Sequence, residues 1–378
     1  MKSQKSNFAI ILALFFFGVT LIGLSQTKKE ANFSVSIGDL LDVSISQGNI
    51  NISTGSGNEV KVVARNILER ELSLLTMEKT SDKVKIQFEG EDSDDFEIDL
   101  TIPEAMKLDI ATGGGNISVD GNLKGEVDAS TGGGNITLTT VSGKADISTG
   151  GGNIRAGDIN GDADISTGGG EIKVEIINGT ADLSTGGGNI TVAKINNSAE
   201  ISTGGGNISV GDIGGKADLS TGGGNIKIES IIGSANVLTG GGNVTLNSAK
   251  GKVDVSSGAG NISLKNISGS VDASVGAGDI YAELMPDGKT SSELNSGFGD
   301  ITLLVPSSAK ATIVASTSVM LWSGDNSDLD DIKSDFEPTN IVRNKERKSI
   351  EVTFKLNGGG SKIEVNTGKG EIEIRKLK

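Results

Sequence analysis

The segment Ala181–Ser198, with the sequence ADLSTGGGNITVAKINNS, recurs with small changes from about residue 108 to residue 282. Its glycine triplet begins at Gly113, Gly132, Gly150, Gly168, Gly186, Gly204, Gly222 and Gly240, and continues as Gly258-Ala259-Gly260 and Gly276-Ala277-Gly278. After a first step of 19 residues, each step is 18 residues. A fixed period of this length is typical of stacked units that bury an apolar face only against their neighbours.

Apolar residues alternate within each unit, as they do in strands with one buried face. In the quoted unit, Ala181 and Leu183 share one side, followed by Ile190 and Val192, and then by Ile195. We therefore expect three short extended segments per unit, separated by turns. Because the same positions stay aliphatic in successive units, the pattern predicts an all-β fold, a single-stranded β-helix (β-solenoid) with 18-residue coils and a stacked aliphatic core.

The turns carry further columns. The outer glycines of each triplet are retained, whereas the middle position accepts Ala259, Ala277 and Phe298. We expect the outer two to adopt backbone angles closed to residues with a Cβ. A second glycine column, with Asn197 in one place, predicts left-handed backbone there. A column of asparagines predicts a structural hydrogen-bonded stack; it contains Asn116, Asn135, Asn153, Asn189, Asn207, Asn225, Asn243 and Asn261.

The N-terminus has the pattern of an export signal. Lys2 and Lys5 precede an apolar run from Phe8 to Leu24, and small residues follow. We assign residues 1–25 as a secretory signal peptide; an uncleaved membrane anchor is the alternative. The expected location is therefore outside the cytoplasm, in the periplasm, on the cell surface or in the medium. Without cysteine, neither disulfides nor lipid attachment at a cleavage-site thiol is available.

The two ends are less regular than the middle. We divide the remaining chain into an N-terminal β cap at 26–107, a regular solenoid at 108–303, and a C-terminal cap with a closing coil at 304–378. In the first cap, five segments have strand patterns: Phe33–Ile37, Leu41–Ile45, Val60–Val63, Val84–Phe88 and Phe96–Ile102.

In the second cap, the segment Met285–Gly288 is a turn insertion, and the acidic stretch Asp325–Glu337 has the composition of a loop. The segments Gly358–Val365 and Gly368–Ile374 have the pattern of a closing coil. Repeat arrays need such atypical ends to cover the exposed core and the open sheet edges.

A family resemblance rests on three features. They are the export signal, the passage from Ile102-Pro103 into Leu108–Ile117, and the ending Asn357–Ile363 with Thr367–Ile372. With the repeated Thr-Gly-X-Gly-Asn/Asp-Ile motif, the chain resembles the bacterial "putative adhesin" families of β-solenoids, a group of domains of unknown function. The resemblance implies a right-handed β-helix, and it brings no catalytic residues. This chain is more regular and richer in asparagine than those relatives.

One outward column is acidic, with Asn236 in one place. It comprises Asp128, Asp146, Asp164, Asp182, Glu200, Asp218, Asp254 and Asp272. Successive coils stack about 4.8 Å apart, so these carboxylates repel one another by about 1 kcal/mol per pair in water. The column is either a solvated acidic face, eased by Lys144, Lys216 and Lys252, or a weak site for cations such as Ca²⁺.

A second outward column is rich in hydroxyl groups and mildly basic. It comprises Ser118, Thr137, Arg155, Lys173, Thr191, Ser209, Lys227, Thr245, Ser263 and Tyr281. Such a face suits a carbohydrate, but serine and threonine are also ordinary exposed strand residues.

Catalysis is not expected. The chain has no histidine and no cysteine, which removes the commonest general base, thiol nucleophiles and typical zinc sites. Many β-helix proteins cleave polysaccharides with paired carboxylates, and such sites interrupt a repeat with unlike residues, but residues 116–282 show no such interruption.

We therefore expect a monomeric, non-catalytic envelope or surface protein without a cofactor. Its partner is a polysaccharide or another surface protein. The net charge of −15 argues against nucleic acid. The alternative is a carbohydrate-active enzyme with its site in a cap, near Trp322 or the acidic loop.

Overall fold

The computed structural model describes residues 26–91, 95–318, 331–344, 346 and 348–377. Strands make up 63% of the chain and helix 2%, which confirms the all-β prediction. The expected signal peptide 1–25 and Trp322 lie outside the described residues. A 3₁₀ helix spans Glu69–Leu74, and within the described part of the chain no helix is long and apolar enough to cross a bilayer.

The N-terminal part contains the strands β1 Gln26–Ser34, β2 Leu40–Ile45, β3 Asn49–Gly55, β4 Glu59–Leu68, β5 Leu75–Lys79, β6 Lys83–Phe88, β7 Glu97–Pro103, β8 Lys107–Thr112 and β9 Ile117–Leu123. The repeats contain β10 Val127–Thr131, β11 Ile136–Val141, β12 Ala145–Thr149, β13 Ile154–Ile159, β14 Ala163–Thr167, β15 Ile172–Ile177, β16 Ala181–Thr185, β17 Ile190–Ile195, β18 Ala199–Thr203, β19 Ile208–Ile213, β20 Ala217–Thr221, β21 Ile226–Ile231, β22 Ala235–Thr239, β23 Val244–Leu246, β24 Val253–Ala259, β25 Ile262–Ile267, β26 Val271–Ala277 and β27 Ile280–Leu284. The C-terminal part contains β28 Ser292–Phe298, β29 Ile301–Pro306, β30 Ala311–Ser318, β31 Ile332–Ser334, β32 Asn340–Asn344, β33 Ser349–Leu356, β34 Ser361–Thr367 and β35 Ile372–Leu377.

Each regular coil contributes one strand to each of two long parallel sheets. Sheet I contains the first strand of every coil, so that β16 lies between β14 and β18. Sheet II contains the second strand, so that β17 lies between β15 and β19. Equivalent residues of successive coils are direct partners, and Ala181 pairs with Ala163 and Ala199. This stacking is the predicted β-solenoid.

The structure has two strands per coil where the alternation predicted three segments. Ile190, Val192 and Ile195 all lie in β17 and are all buried. Ala193 and Lys194 are consecutive exposed residues, and the parallel ladder skips residue 193. The strand bends at this pair, which returns Ile195 to the core. The second and third expected segments are therefore one bent strand.

A column of buried threonines fixes the register between coils, and the sequence reading missed it. Thr203 is 5% exposed and occupies the third inward position of β18. Its hydroxyl donates a hydrogen bond to the Gly188 carbonyl oxygen of the preceding coil at 2.8 Å. The same hydroxyl accepts one from the Gly206 N–H at 3.1 Å. The arrangement repeats at Thr131, Thr149, Thr167, Thr185, Thr221 and Thr239.

The predicted asparagine stack is confirmed, with the backbone as its main donor. The Asn225 backbone N–H donates to the Asn207 side-chain oxygen at 2.8 Å, and the Asn243 N–H donates to Asn225 in the same way. The ladder starts at Asn49 and continues through carboxylates in the last coils; its remaining bonds begin at Asn116, Asn135, Asn153, Glu171, Asn207, Asn261, Asp279, Asp300 and Glu371.

The outer glycines are required, but for a different reason from the one expected. A Cβ added at Gly188 would lie 1.9 Å from the Gly170 carbonyl oxygen of the preceding coil, whereas one at Gly187 would meet nothing within 4 Å. In the fully described units from Gly113 to Gly242, no triplet glycine lies in the left-handed region. Close stacking of backbone on backbone therefore excludes side chains at the outer positions.

The prediction of left-handed backbone in the second glycine column is wrong for the same reason. A Cβ at Gly233 would lie 2.3 Å from the Gly215 carbonyl oxygen, yet neither glycine has a positive φ. Asn197 is not left-handed either. The sequence showed that a Cβ is excluded there, and the structure shows that the neighbouring coil excludes it.

At the N-terminal end, the chain does not add coils in sequence order. The coil formed by β2 and β3 lies between two others, because β2 pairs with both β6 and β8, and β3 pairs with both β7 and β9. β1, β4 and β5 complete the end with antiparallel pairings. The five segments predicted as strands overlap β1, β2, β4, β6 and β7, whereas β5 was missed.

The C-terminal end has the same interleaved order. The last coil, β34 and β35, lies between β28 and β29 on one side and β30 and β31 on the other. β33 and β32 then add antiparallel strands outside β30. The expected closing coil is thus the second layer from the end. Of the stretch expected to be an acidic loop, Ile332–Ser334 is strand β31, and residues 325–330 lie outside the described part.

Candidate functional site

The structure brings all eight acidic residues predicted from the sequence into one outward column of sheet I. Asp128 pairs with Asp146, Asp146 with Asp164, and the register continues through Asp182, Glu200 and Asp218. Asp254 and Asp272 are likewise direct partners. We call these eight residues the acidic column. Asp42 and Asp109 extend it at one end, and Glu293 and Glu364 extend it at the other.

The sequence reading missed these extensions because they lie in the irregular coils. Their signal was the parity of β2, β8, β28 and β34, in which the acid stands between two inward residues. Leu41 and Val43 flank Asp42 in this way and are buried.

The stacking perturbs the ionisation of the column. Partial burial, followed by the charges of Asp146 and Asp109, raises the pKa of Asp128. Partial burial, followed by the charges of Asp146 and Asp182, raises the pKa of Asp164. Both directions are those expected for carboxylates that lose water and face like charges.

Lysines two residues earlier on the same strands relieve part of this repulsion, as expected. The Nζ atoms of Lys144, Lys216 and Lys252 lie 3.6, 3.5 and 2.8 Å from carboxylate oxygens of Asp146, Asp218 and Asp254, respectively. Because these pairs are exposed, they contribute little to stability. They do reduce the net charge of three of the coils.

An open groove of about 420 Å³ lies on the column between Lys144 and Lys216. Its acids are Asp164, Asp182 and Glu200, and the lysine position in these coils is occupied by the shorter residues that complete the lining, Asp162, Thr180 and Ser198. The Asp162 carboxylate accepts hydrogen bonds from the Thr180 backbone N–H and hydroxyl, both at 2.8 Å. These bonds lower the pKa of Asp162, so its charge is already partly satisfied by the neighbouring coil.

The groove does not form a closed calcium site. Ca²⁺ takes six to eight oxygen ligands, usually from several convergent groups. Across the described residues, no three histidine, cysteine, aspartate or glutamate side chains converge closely enough to hold a metal ion. Each coil instead supplies one outward carboxylate, which suits diffuse attraction of cationic groups along the face.

One coil interrupts the acidic column, and the interruption is larger than the sequence reading noted. Asn236 replaces the acid and accepts charge from Asp218, to which its side-chain amide donates a hydrogen bond at 2.9 Å. Leu238 replaces the serine two residues on and is 50% exposed. Ile232, in the preceding turn, is also exposed. The acidic column is therefore two charged segments separated by an uncharged coil.

The hydroxyl-rich column lies on the outward face of sheet II, as predicted. Thr191 pairs with Lys173 and Ser209, in register with the rest of the column. Each of its long side chains reaches an acid two residues away: Lys173 Nζ lies 3.7 Å from Glu175, and Lys227 Nζ lies 2.8 Å from Glu229. The Tyr281 hydroxyl donates to Glu283 at 2.6 Å, which, with burial, raises the pKa of Tyr281 to about 12.

Comparison with known proteins gives structural neighbours only. No family model matches the chain, and no curated protein matches it. A solved structure named a "putative adhesin" from Bacteroides fragilis is 14% identical, covers 94% of this chain and 99% of its own, and has a TM-score of 0.20. A "putative cell adhesion protein" from Clostridium sporogenes is 12% identical, covers 93% and 100%, and has a TM-score of 0.16. A "putative adhesin" from Parabacteroides distasonis is 11% identical, covers 93% and 97%, and has a TM-score of 0.22.

Proposed function

We propose that this chain is a non-catalytic, exported β-solenoid that presents repetitive polar faces at the cell envelope or cell surface, as an adhesin or scaffold. It is related in kind to the "putative adhesin" solenoids that its sequence resembles. Its binding partners are polysaccharides or other surface proteins.

The uninterrupted register of the faces is the observation that supports this proposal best. From Asp109 to Asp218, every coil places one acid at the same height on sheet I, while sheet II carries the hydroxyl-rich column on the opposite strands. A catalytic centre needs unlike groups that converge on one point. A periodic face instead offers the same weak contact many times, which yields avidity on a polymer or a cell surface.

The test uses purified residues 26–378 on a panel of polysaccharides and whole cells, in Ca²⁺ or in EDTA. Bound protein and released reducing ends are measured together. Saturable binding without released ends is the expected result. Released ends would overturn the non-catalytic part of the proposal and support the alternative of a carbohydrate-active enzyme.

Two matched variants identify the binding face. The first neutralises the groove with Asp164→Asn, Asp182→Asn and Glu200→Gln, and the second neutralises sheet II with Arg155→Gln, Lys173→Gln and Lys227→Gln. All six residues are on the surface and their side chains point away from the core. Loss of binding in one variant only assigns the face; unchanged binding in both would contradict a role for these columns.

A further inference from the structure

The C-terminal coil holds the outer cap on the solenoid. Within the described residues, β30 pairs only with β33 and β34, and β31 pairs only with β35. Neither outer strand pairs with β28 or β29, which end the regular stack. Every ladder hydrogen bond between this cap and the body therefore passes through β34 and β35.

The coil is fully integrated into the core. Ile363, Val365, Ile372 and Ile374 are each at most 1% exposed. The Thr367 hydroxyl donates to the Gly299 carbonyl oxygen at 2.8 Å, as the threonines of the regular coils do. The same slot would be filled equally well by this segment from any copy of the chain, because each contact is made by the segment itself.

The segment can leave and enter the slot because it is the last part of the chain. β33 lies outside β30 and β34 lies inside it, so that Ala311 pairs with Leu356 on one side and with Ser361 on the other. The short crossover 357–360 spans the start of β30. It includes Gly358 and Gly359 with φ of 89° and 86°, and the Asn357 amide anchors it by donating to the Ser307 and Ala309 carbonyl oxygens. The β2–β3 coil occupies the equivalent layer at the other end but has chain on both sides.

We propose that this slot is an exchange site for a second copy of the chain. The Ser361–Leu377 coil of one molecule fills the slot between β28–β29 and β30–β31 of another, which gives a reciprocally swapped dimer. Such a dimer keeps all contacts of the coil and changes only the crossover, the condition under which exchange of identical elements occurs at low cost. The proposal does not depend on the proposed function.

The experiment exploits the lack of cysteine in the chain. Asn295 and Asn366 are partners in adjacent parallel strands, and the Asn366 amide donates to the Asn295 side-chain oxygen at 3.0 Å. Cα atoms in adjacent strands are within the distance that a disulfide spans. An Asn295→Cys chain and an Asn366→Cys chain are unfolded together, refolded over a range of concentrations, and oxidised.

Exchange predicts a covalent dimer between the two variants whose fraction rises about tenfold for a tenfold rise in concentration while conversion is low, since the dimer forms by mass action. The control pair, Tyr281→Cys with Thr302→Cys, joins neighbours that stay within one molecule and should not cross-link. The double variant Asn295→Cys/Asn366→Cys should form its disulfide within one chain. If it does so while the mixed chains remain monomeric at every concentration, the exchange site is disproved; failure of the double variant to close would disprove the slot itself.

Discussion

The hydroxyl of Thr203 lies between two glycines of different coils: it donates to the Gly188 carbonyl oxygen at 2.8 Å and accepts from the Gly206 N–H at 3.1 Å. Both glycines are at the third place of their triplets. The Thr-Gly-X-Gly motif is thus a hydrogen-bonding unit, in which the threonine bonds to a carbonyl of the preceding coil and to an N–H of its own turn.

Thr203→Val should be destabilising, because the buried carbonyl and N–H lose their shared partner while the shape of the side chain is kept. We expect the free energy of unfolding to fall by about 1–3 kcal/mol. Thr203→Ser keeps the hydroxyl, and Ser257 makes the same bond to Gly242 at 2.9 Å. Chemical denaturation of both variants tests this; equal loss for valine and serine would show that packing, not hydrogen bonding, sets the cost.

Neighbouring glycines of one triplet should respond differently to alanine. The added Cβ of Gly188→Ala would collide with the Gly170 carbonyl oxygen, so we expect a loss of about 1–3 kcal/mol or more. Gly187→Ala has open space around its Cβ and should change stability by less than about 1 kcal/mol. Thermal unfolding of the pair is the measurement, and a similar melting temperature for both would refute the close-stacking explanation.

Glu171→Asn should stabilise the solenoid. Glu171 stands in the asparagine ladder and donates its N–H to Asn153, but in this fully described stretch no bond runs from the Asn189 N–H to Glu171. An asparagine would supply that acceptor, with an expected gain of about 0.5–1.5 kcal/mol. Asn207→Glu is the reverse experiment and should lose a similar amount. A gain from both changes would show that ladder continuity is not the cause.

Asp164 should make the protein less stable at neutral pH than at acid pH. Burial and the charges of Asp146 and Asp182 raise its pKa in the folded state, so the folded chain binds this proton more tightly than the unfolded chain does, and stability falls as the pH rises through the raised pKa. Asp164→Asn should therefore be more stable than the parent at pH 7. This gain should vanish as the pH falls below the ordinary aspartate value of about 4. Denaturation curves at several pH values would reveal a contrary trend.

Asp287 should show the opposite pH dependence. Hydrogen bonds from the Thr290 and Lys289 N–H groups hold its pKa down at about 2. Its stabilising effect is present above the unfolded value of about 4 and is lost as the pH falls toward about 2. We expect Asp287→Asn to be less stable than the parent at pH 7 and to approach it in strong acid. An unchanged difference across this range would contradict the assigned shift.

The repetitive part of the fold was predictable because its period places equivalent residues in columns. The acidic column follows directly from an 18-residue step, since Asp164 and Asp182 must meet once the coils stack in register. The buried Thr203 had a readable signal too: it continues the inward parity of Ala199 and Ile201. Its polarity concealed a core position, because a hydroxyl is buried only where it has partners.

The interleaved ends were not predictable from the same reasoning. The pattern of residues 361–377 identifies a coil but not its place, because any strand edge of suitable polarity could receive it. The order depends on a long-range choice between β30 and β34 as the neighbour of β28. The cause of the glycine columns was also hidden: the sequence records that a Cβ is absent at Gly233, while the obstructing carbonyl belongs to a residue 18 positions earlier.

The near identity of the coils has a genetic consequence. DNA segments that encode successive coils are similar enough to recombine out of register, and each such event would remove or add one whole coil. Because each coil bonds to its neighbours through the same Thr, Asn and glycine positions, the shortened or lengthened protein would rejoin in register and keep both ends. The length of the rod would then vary between lineages in steps of about 4.8 Å, without any change in the surface chemistry that each step displays.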